Sequence, residues 1–102
     1  MDIRKSSKTR GQFFGLELSD DNGLMLWIPP GFAHGFMALG SDAADVLYLV
    51  DHFYNPKTEG GIVWNDPDLQ IPWPMQSKAI VSERDQRLVS WREFLKLPKA
   101  PF

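Results

Sequence analysis

Few side chains here are equipped for proton transfer: two histidines, two tyrosines and a scatter of carboxylates. His34 stands in the run Trp27-Ile28-Pro29-Pro30-Gly31-Phe32-Ala33-His34-Gly35-Phe36. Pro29-Pro30-Gly31 stops an apolar stretch: proline fixes φ and lacks a donor, and Gly31 supplies the positive φ of a type II turn. A histidine between Ala33 and Gly35, just past a rigid turn, has room beside it for a ligand. From the pattern alone, the simpler explanation is a β-core histidine satisfied by one hydrogen bond. In an extended run every second residue shares a side, so residues 44–54 put Val46, Tyr48, Val50, His52 and Tyr54 on one face. Two phenols and an imidazole there make a candidate cavity wall, or ordinary barrel-filling aromatics with hydroxyls at the rim. Asp85 follows Ser82 by three positions, which is helix-capping spacing.

The elements that must position these groups are short. Residues 12–18 alternate as a strand, with Phe14, Leu16 and Leu18 against Gly15 and Glu17. Asn22-Gly23 is a hairpin-turn dipeptide, and residues 24–28 make the return strand. Residues 32–39, 44–54 and 62–64 read as further strands. Ile71-Pro72-Trp73-Pro74 cannot be a central strand, because its prolines remove two donors. A helix is expected from Ser82 to about Lys96, with Leu88, Trp91 and Leu95 at helical spacing and Pro98 ending it. Five or six short strands and one late helix predict an all-β sandwich or barrel.

Composition excludes several classes. The 102 residues make one small domain, and 43% hydrophobic with 13% aromatic content can build a core. Eleven basic against thirteen acidic residues leave a net charge of −2, which gives no electrostatic case for nucleic acid or an anionic membrane. There is no cysteine, so no disulfide framework, and a metal site would need His and carboxylates alone. The charged start (Asp2, Arg4, Lys5, Lys8, Arg10) does not read as a signal peptide, and no apolar run is long enough for a membrane span. A cytoplasmic protein is the expectation.

The stretch from Trp27 to Phe36 resembles the signature of the dTDP-4-dehydrorhamnose 3,5-epimerases, cupin-type enzymes of deoxysugar synthesis. Asp2-Ile-Arg-Lys-Ser6, Leu47-Tyr48 through Phe53-Tyr54-Asn55-Pro56, Gly61-Ile-Val-Trp-Asn-Asp-Pro-Asp-Leu69, Ile71-Pro72-Trp73-Pro74 and Ser82-Glu-Arg-Asp85 fit in the same order. The resemblance runs from residue 2 to about 87. It implies a cupin-like jelly roll, here a partial barrel of antiparallel strands with a C-terminal helix: one domain over residues 1–102, core to about 87, helix and tail over 88–102.

The family reaction inverts C3 and C5 of a 4-keto sugar on dTDP. Both carbons flank the ketone, so proton removal gives an enolate. A base on one face, an acid on the other and a donor for the C4 oxyanion are required, and the ketone is the electron sink, so no cofactor or metal is implied. By resemblance Tyr48 is the acid, and Asp85 is the aspartate that orients the catalytic histidine. His34, Tyr54 and Glu59 match substrate-contacting positions. Leu49 stands where relatives often carry lysine, and His52 is given no role. Metal-binding cupins use two histidines close in sequence plus a third, a spacing that His34 and His52 do not supply.

The resemblance covers the second half of the usual subunit. The Arg-Gly-Leu-His segment that carries the catalytic base, and a substrate lysine, have no counterpart in this sequence. Two expectations follow: an epimerase site completed by another polypeptide or half, or an inactive half-cupin that keeps the fold and sugar-nucleotide binding. In either case a dTDP-4-keto-6-deoxyhexose or similar sugar nucleotide is the ligand. A half barrel with open edges calls for a homodimer or higher oligomer, with strand exchange as a route.

Overall fold

The computed structural model describes residues 1–98. Its regular elements are a single 3-10 turn at Gln76–Lys78 and two short helices, α1 (Glu83–Gln86) and α2 (Trp91–Lys96). No sheet forms among the described residues. The expected all-β jelly roll is therefore corrected. The segments read as strands (12–18, 24–28, 32–39, 44–54 and 62–64) have no ladder partner. Extended pairing survives only as two isolated bridges, Asp2 antiparallel to Phe32 and Ile62 parallel to Val89. The physical reason is that a strand is stabilised by its neighbours: alternation fixes which face is apolar but supplies no second chain to take the N–H and C=O groups.

The turns formed where their residues demand it. Gly31 has φ 90° and Gly23 φ 60°. In the 19–23 turn the Gly23 N–H donates to the Ser19 carbonyl at 3.0 Å, and Asn22 Oδ1 accepts from the Ser19 and Leu24 amides. The reversal is present, but the two strands it should join are not paired.

Order concentrates in one corner. The first residues curl back on themselves, with the Asp2 amide donating to the Gln12 carbonyl and the Gly11 amide to that of Asp2. Gly31–Ala33 run alongside, through Ile3 N–H to Gly31 O and Ala33 N–H to Met1 O. The Asp2 carboxylate, almost fully buried, accepts from Arg4 Nε at 3.0 Å, Arg4 Nη2 at 2.9 Å, Thr9 Oγ1 at 2.6 Å and Ser7 Oγ. The Arg4 guanidinium, with help from the two hydroxyls, holds this carboxyl far below the usual range although burial opposes it. Ile3 and Phe94 are the buried apolar pair, and Met1, Ala33, Ile62, Val89 and Trp91 pack on them. Trp91 stacks on Phe94 at 5.6 Å.

The single helix expected from Ser82 to Lys96 is two. Ser82 does cap α1, accepting from the Asp85 amide at 3.2 Å. The helix stops after one turn, and Val89 leaves it to accept from the Val63 amide at 2.9 Å. Ser90 then starts α2 with a full capping box, its hydroxyl accepting from Glu93 N–H while Glu93 Oε2 accepts from Ser90 N–H. The Ser90-x-x-Glu93 spacing was in the sequence as a second start signal. The residue before it is β-branched, and pairing of Val89 with residues 62–63 outweighs continued helix. Within residues 88–102, expected as helix and tail, the helix is Trp91–Lys96, and the last four residues lie outside the described ones.

Asp66 fastens α2 to the preceding turn. Its Oδ1 accepts from the Asp68 and Leu69 amides at 2.9 and 3.1 Å, and its Oδ2 from the first helical amide, Trp91, at 2.8 Å. Burial opposes its charge, yet these three donors and nearby Arg92 prevail, so the carboxyl sits below its ordinary range.

Candidate functional site

Three of the five residues singled out for chemistry meet at one place. Asn55-Pro56-Lys57-Thr58 is a turn: Thr58 N–H donates to the Asn55 carbonyl at 3.1 Å, and Asn55 Oδ1 accepts from the Lys57 amide at 3.0 Å. Proline at the second position and asparagine at the first favour this geometry. The reversal returns the chain so that Tyr54 Oη donates to Glu59 Oε2 at 2.9 Å. Across from it, α1 presents Arg84. Its Nη1 donates to Glu59 Oε1 and Oε2 at 3.3 and 3.2 Å, and its Nε to Asp85 Oδ1 at 3.3 Å. Tyr54, Glu59, Arg84 and Asp85 thus form one hydrogen-bonded chain, its Glu59–Arg84 link joining residues 25 positions apart.

The electrostatics follow from the contacts. The Glu59 carboxylate accepting its proton pushes the Tyr54 phenol above the ordinary tyrosine range, and the Arg84 charge pulls weakly the other way. Hydrogen bonding to Asp85, with the Glu59 charge beside it, raises the Arg84 guanidinium further and keeps it cationic. The group lies at the surface, so its pairs act by geometry more than by strength.

The other two residues are elsewhere. Tyr48 sits on an exposed extended segment and, among the described residues, makes no side-chain hydrogen bond to this network. His34 is exposed, just past the Gly31 turn, beside a glycine whose Cα faces the Trp73 ring. The shared face of Tyr48, His52 and Tyr54 does not become a cavity wall; all three are exposed, and His52 Nδ1 lies 3.0 Å from Asp51 Oδ1. Two open hollows, of about 360 Å³ beside Asp66 and Ile71 and about 200 Å³ beside Asp2 and Phe32, have none of the five in their walls. No group of three or more metal-ligating side chains gathers among the described residues, and no described helix is long and apolar enough to cross a membrane.

Sequence reasoning passed over Arg84. The available signal was its position: a cation between Glu83 and Asp85, just after the Ser82 cap.

The profile of the dTDP-4-dehydrorhamnose 3,5-epimerase family matches residues 1–93. The chain belongs to this family. Its relatives include proteins named dTDP-4-dehydrorhamnose 3,5-epimerase from Neisseria gonorrhoeae (45% identical over 93 residues, 91% of this chain and 28% of that protein), Pseudomonas aeruginosa (47% over 87 residues, 85% and 48%) and Escherichia coli (44% over 97 residues, 95% and 52%). The chain spans about half or less of the length of these curated relatives. No solved structure matches it. Every residue of the Tyr54–Asp85 network, together with His34 and Tyr48, falls inside the region that this epimerase family shares.

Proposed function

We propose that this chain carries the acid and dyad side of a sugar-nucleotide 3,5-epimerase site, and that an N-terminal half or a partner, outside these 102 residues, supplies the base. The continuous family match across residues 1–93, enclosing all five candidate residues, is the observation that supports this reading most. The substrate is a dTDP-4-keto-6-deoxyhexose. A histidine from outside the chain, oriented by Asp85, removes the proton next to the C4 ketone. Negative charge passes to the C4 oxygen as the enolate forms. Tyr48 returns a proton on the opposite face, and the configuration inverts. His34, Tyr54 and Glu59 contact the substrate. Epimerisation moves protons only, so the ketone alone serves as electron sink. That outside part also covers the exposed apolar segments, as an N-terminal half or as a second copy of the chain. A monomer by light scattering at micromolar concentration, with no tendency to associate, counts against that cover.

A second reading, sugar-nucleotide binding without turnover, is favoured for the chain alone by one observation. Neither of its two histidines contacts Asp85, whose side chain is held by Arg84 instead. Deuterium uptake from D2O into dTDP-4-keto-6-deoxyglucose, followed by NMR with the chain supplemented by the N-terminal half of the Escherichia coli relative, separates the two. Exchange at C3 or C5 that drops with Tyr48→Phe and with Asp85→Asn supports the epimerase reading. Exchange indifferent to both substitutions overturns the residue assignments. Absence of exchange, with the sugar nucleotide still bound, supports the second reading.

A further inference from the structure

Arg84 is the one member of the Tyr54–Glu59–Arg84–Asp85 chain that touches both carboxylates. We propose that Arg84 is a positioning residue: its guanidinium holds Glu59 onto the Tyr54 hydroxyl and fixes that pair to the Asp85 end of α1. The inference rests on the epimerase reading for its catalytic meaning, but its geometry stands apart from turnover.

Three observations carry it. First, the guanidinium uses two different edges, Nε toward Asp85 and Nη1 toward both oxygens of Glu59. A planar fork sets the angle between two carboxylates in a way that a lysine ammonium, a single point of charge, does not. Second, Glu59 precedes Gly60 and Gly61, and residues 55–60 are exposed, so little else restrains its side chain. Glu59 Oε2 accepts from both Tyr54 and Arg84, which makes that one oxygen the hinge of the arrangement. Third, α1 closes locally without Arg84, through the Ser82 cap and Gln86 Nε2 donating to the Val81 carbonyl at 2.8 Å, so the turn that carries Arg84 does not depend on its side chain.

The consequence for the proposed site is coupling. A substrate-contacting tyrosine and the carboxylate assigned to the base would otherwise ride on separate segments, one a loop and one a helix. Arg84 joins them, so a misplaced loop and a misplaced dyad become one fault rather than two. Positioning errors on the order of 1 Å are enough to cost large factors in rate.

The test needs no substrate. The chain has two tyrosines, so a Tyr48→Phe background leaves Tyr54 as the only phenol to titrate, followed by the 13Cζ signal of labelled tyrosine. Glu59→Gln removes the carboxylate and defines the midpoint of an uncoupled Tyr54. If Arg84 holds Glu59 in place, Arg84→Gln lowers the Tyr54 midpoint to the Glu59→Gln value, and Arg84→Lys does the same, because charge without the fork does not hold the pair. If Arg84 is only a nearby charge, Arg84→Gln raises the midpoint and Arg84→Lys restores it. That outcome, or no change in either variant, overturns the proposal. In the Glu59→Gln background, Arg84→Gln raises the midpoint only slightly, by loss of the nearby charge; a fall like that seen with Glu59 present overturns the route through Glu59. Failure of turnover in a deuterium-exchange assay would weigh against the epimerase reading and leave these titrations intact.

Discussion

The corner built from residues 1–12, 31–33 and 62–66 with α2 and the long open run of residues 13–30 and 34–60 obey different rules. In the corner two carboxylates, Asp2 and Asp66, are nearly fully buried and every one of their oxygens has a donor. In the open run Phe14, Trp27, Phe36, Leu47, Leu49 and Phe53 face solvent. The chain exposes 9157 Å², where a compact monomer of this size exposes about 5,900 Å². Its radius of gyration, 14.5 Å, exceeds the roughly 13 Å of a compact 100-residue domain. Short-range chemistry closes on itself: a cap, an asparagine turn or a carboxylate beside three amides needs only its neighbours in sequence. Strand pairing needs a second backbone, and the open run has none.

The largest effect expected from this contrast is at Phe94. It is buried against Ile3 and stacked on Trp91, so Phe94→Ala empties the centre of the corner. A loss of about 3 kcal/mol is expected, read by urea unfolding with tryptophan fluorescence. A loss under about 0.5 kcal/mol would mean that the corner is no more a core than the open run.

Acid should dissolve the same corner next. Asp2 and Asp66 both titrate below their ordinary values in the folded chain. Their contribution is therefore fully present above the unfolded carboxylate pKa of about 3.9, and is lost as pH falls through the folded values. Stability should decline progressively below about pH 4. Asp66→Asn should flatten that decline and cost about 1–2 kcal/mol at neutral pH, since a neutral amide cannot accept from all three amides as the carboxylate does. A pH profile unchanged by Asp66→Asn breaks the assignment of this carboxylate as the fastener of α2.

What was legible in the sequence divides along the same line. The Gly31 turn, the Asn22-Gly23 reversal, the Ser82 cap and the Asn55-Pro56 turn were all readable, because each is written within a few consecutive residues. The sheet was not, because alternating apolar residues state a preference that only a partner can realise. The Val89 bridge to Ile62 was equally invisible: nothing near Val89 signals that a backbone 26 positions away will take its carbonyl. For the site, Tyr54, Glu59 and Asp85 were found through family likeness. Their joining through Arg84 is a long-range fact of the same kind, since Glu59 lies 25 positions away from it. Tyr48 and His34 lie in the open run and remain apart, whereas Tyr54 and Glu59, in the same run, are brought together by the Asn55-Pro56 turn and reached by Arg84.

A smaller effect is expected at Ser90. It closes the capping box with Glu93, whose carboxylate is held below its usual range by the Ser90 amide and hydroxyl. Ser90→Ala should cost about 1 kcal/mol and fray α2 from its first turn. Because α2 carries Phe94, the loss should appear in the same unfolding transition. A separate, earlier transition would show that α2 and the corner do not melt together.

The smallest effect belongs to the open run and sharpens the comparison most. Phe53 is fully exposed, so Phe53→Ser removes no contact within the chain. In dilute solution the isolated chain should keep its unfolding midpoint, with a change within about 0.5 kcal/mol. At concentrations where the chain associates, the same substitution should weaken association, because a large aromatic in contact with a partner buries far more apolar area than serine does. Paired measurements, unfolding at low concentration and light scattering at high, therefore assign Phe53 to one of two states. Equal loss in both would mean that the open run packs within its own chain; loss only on association would mean that its apolar face is completed by another polypeptide.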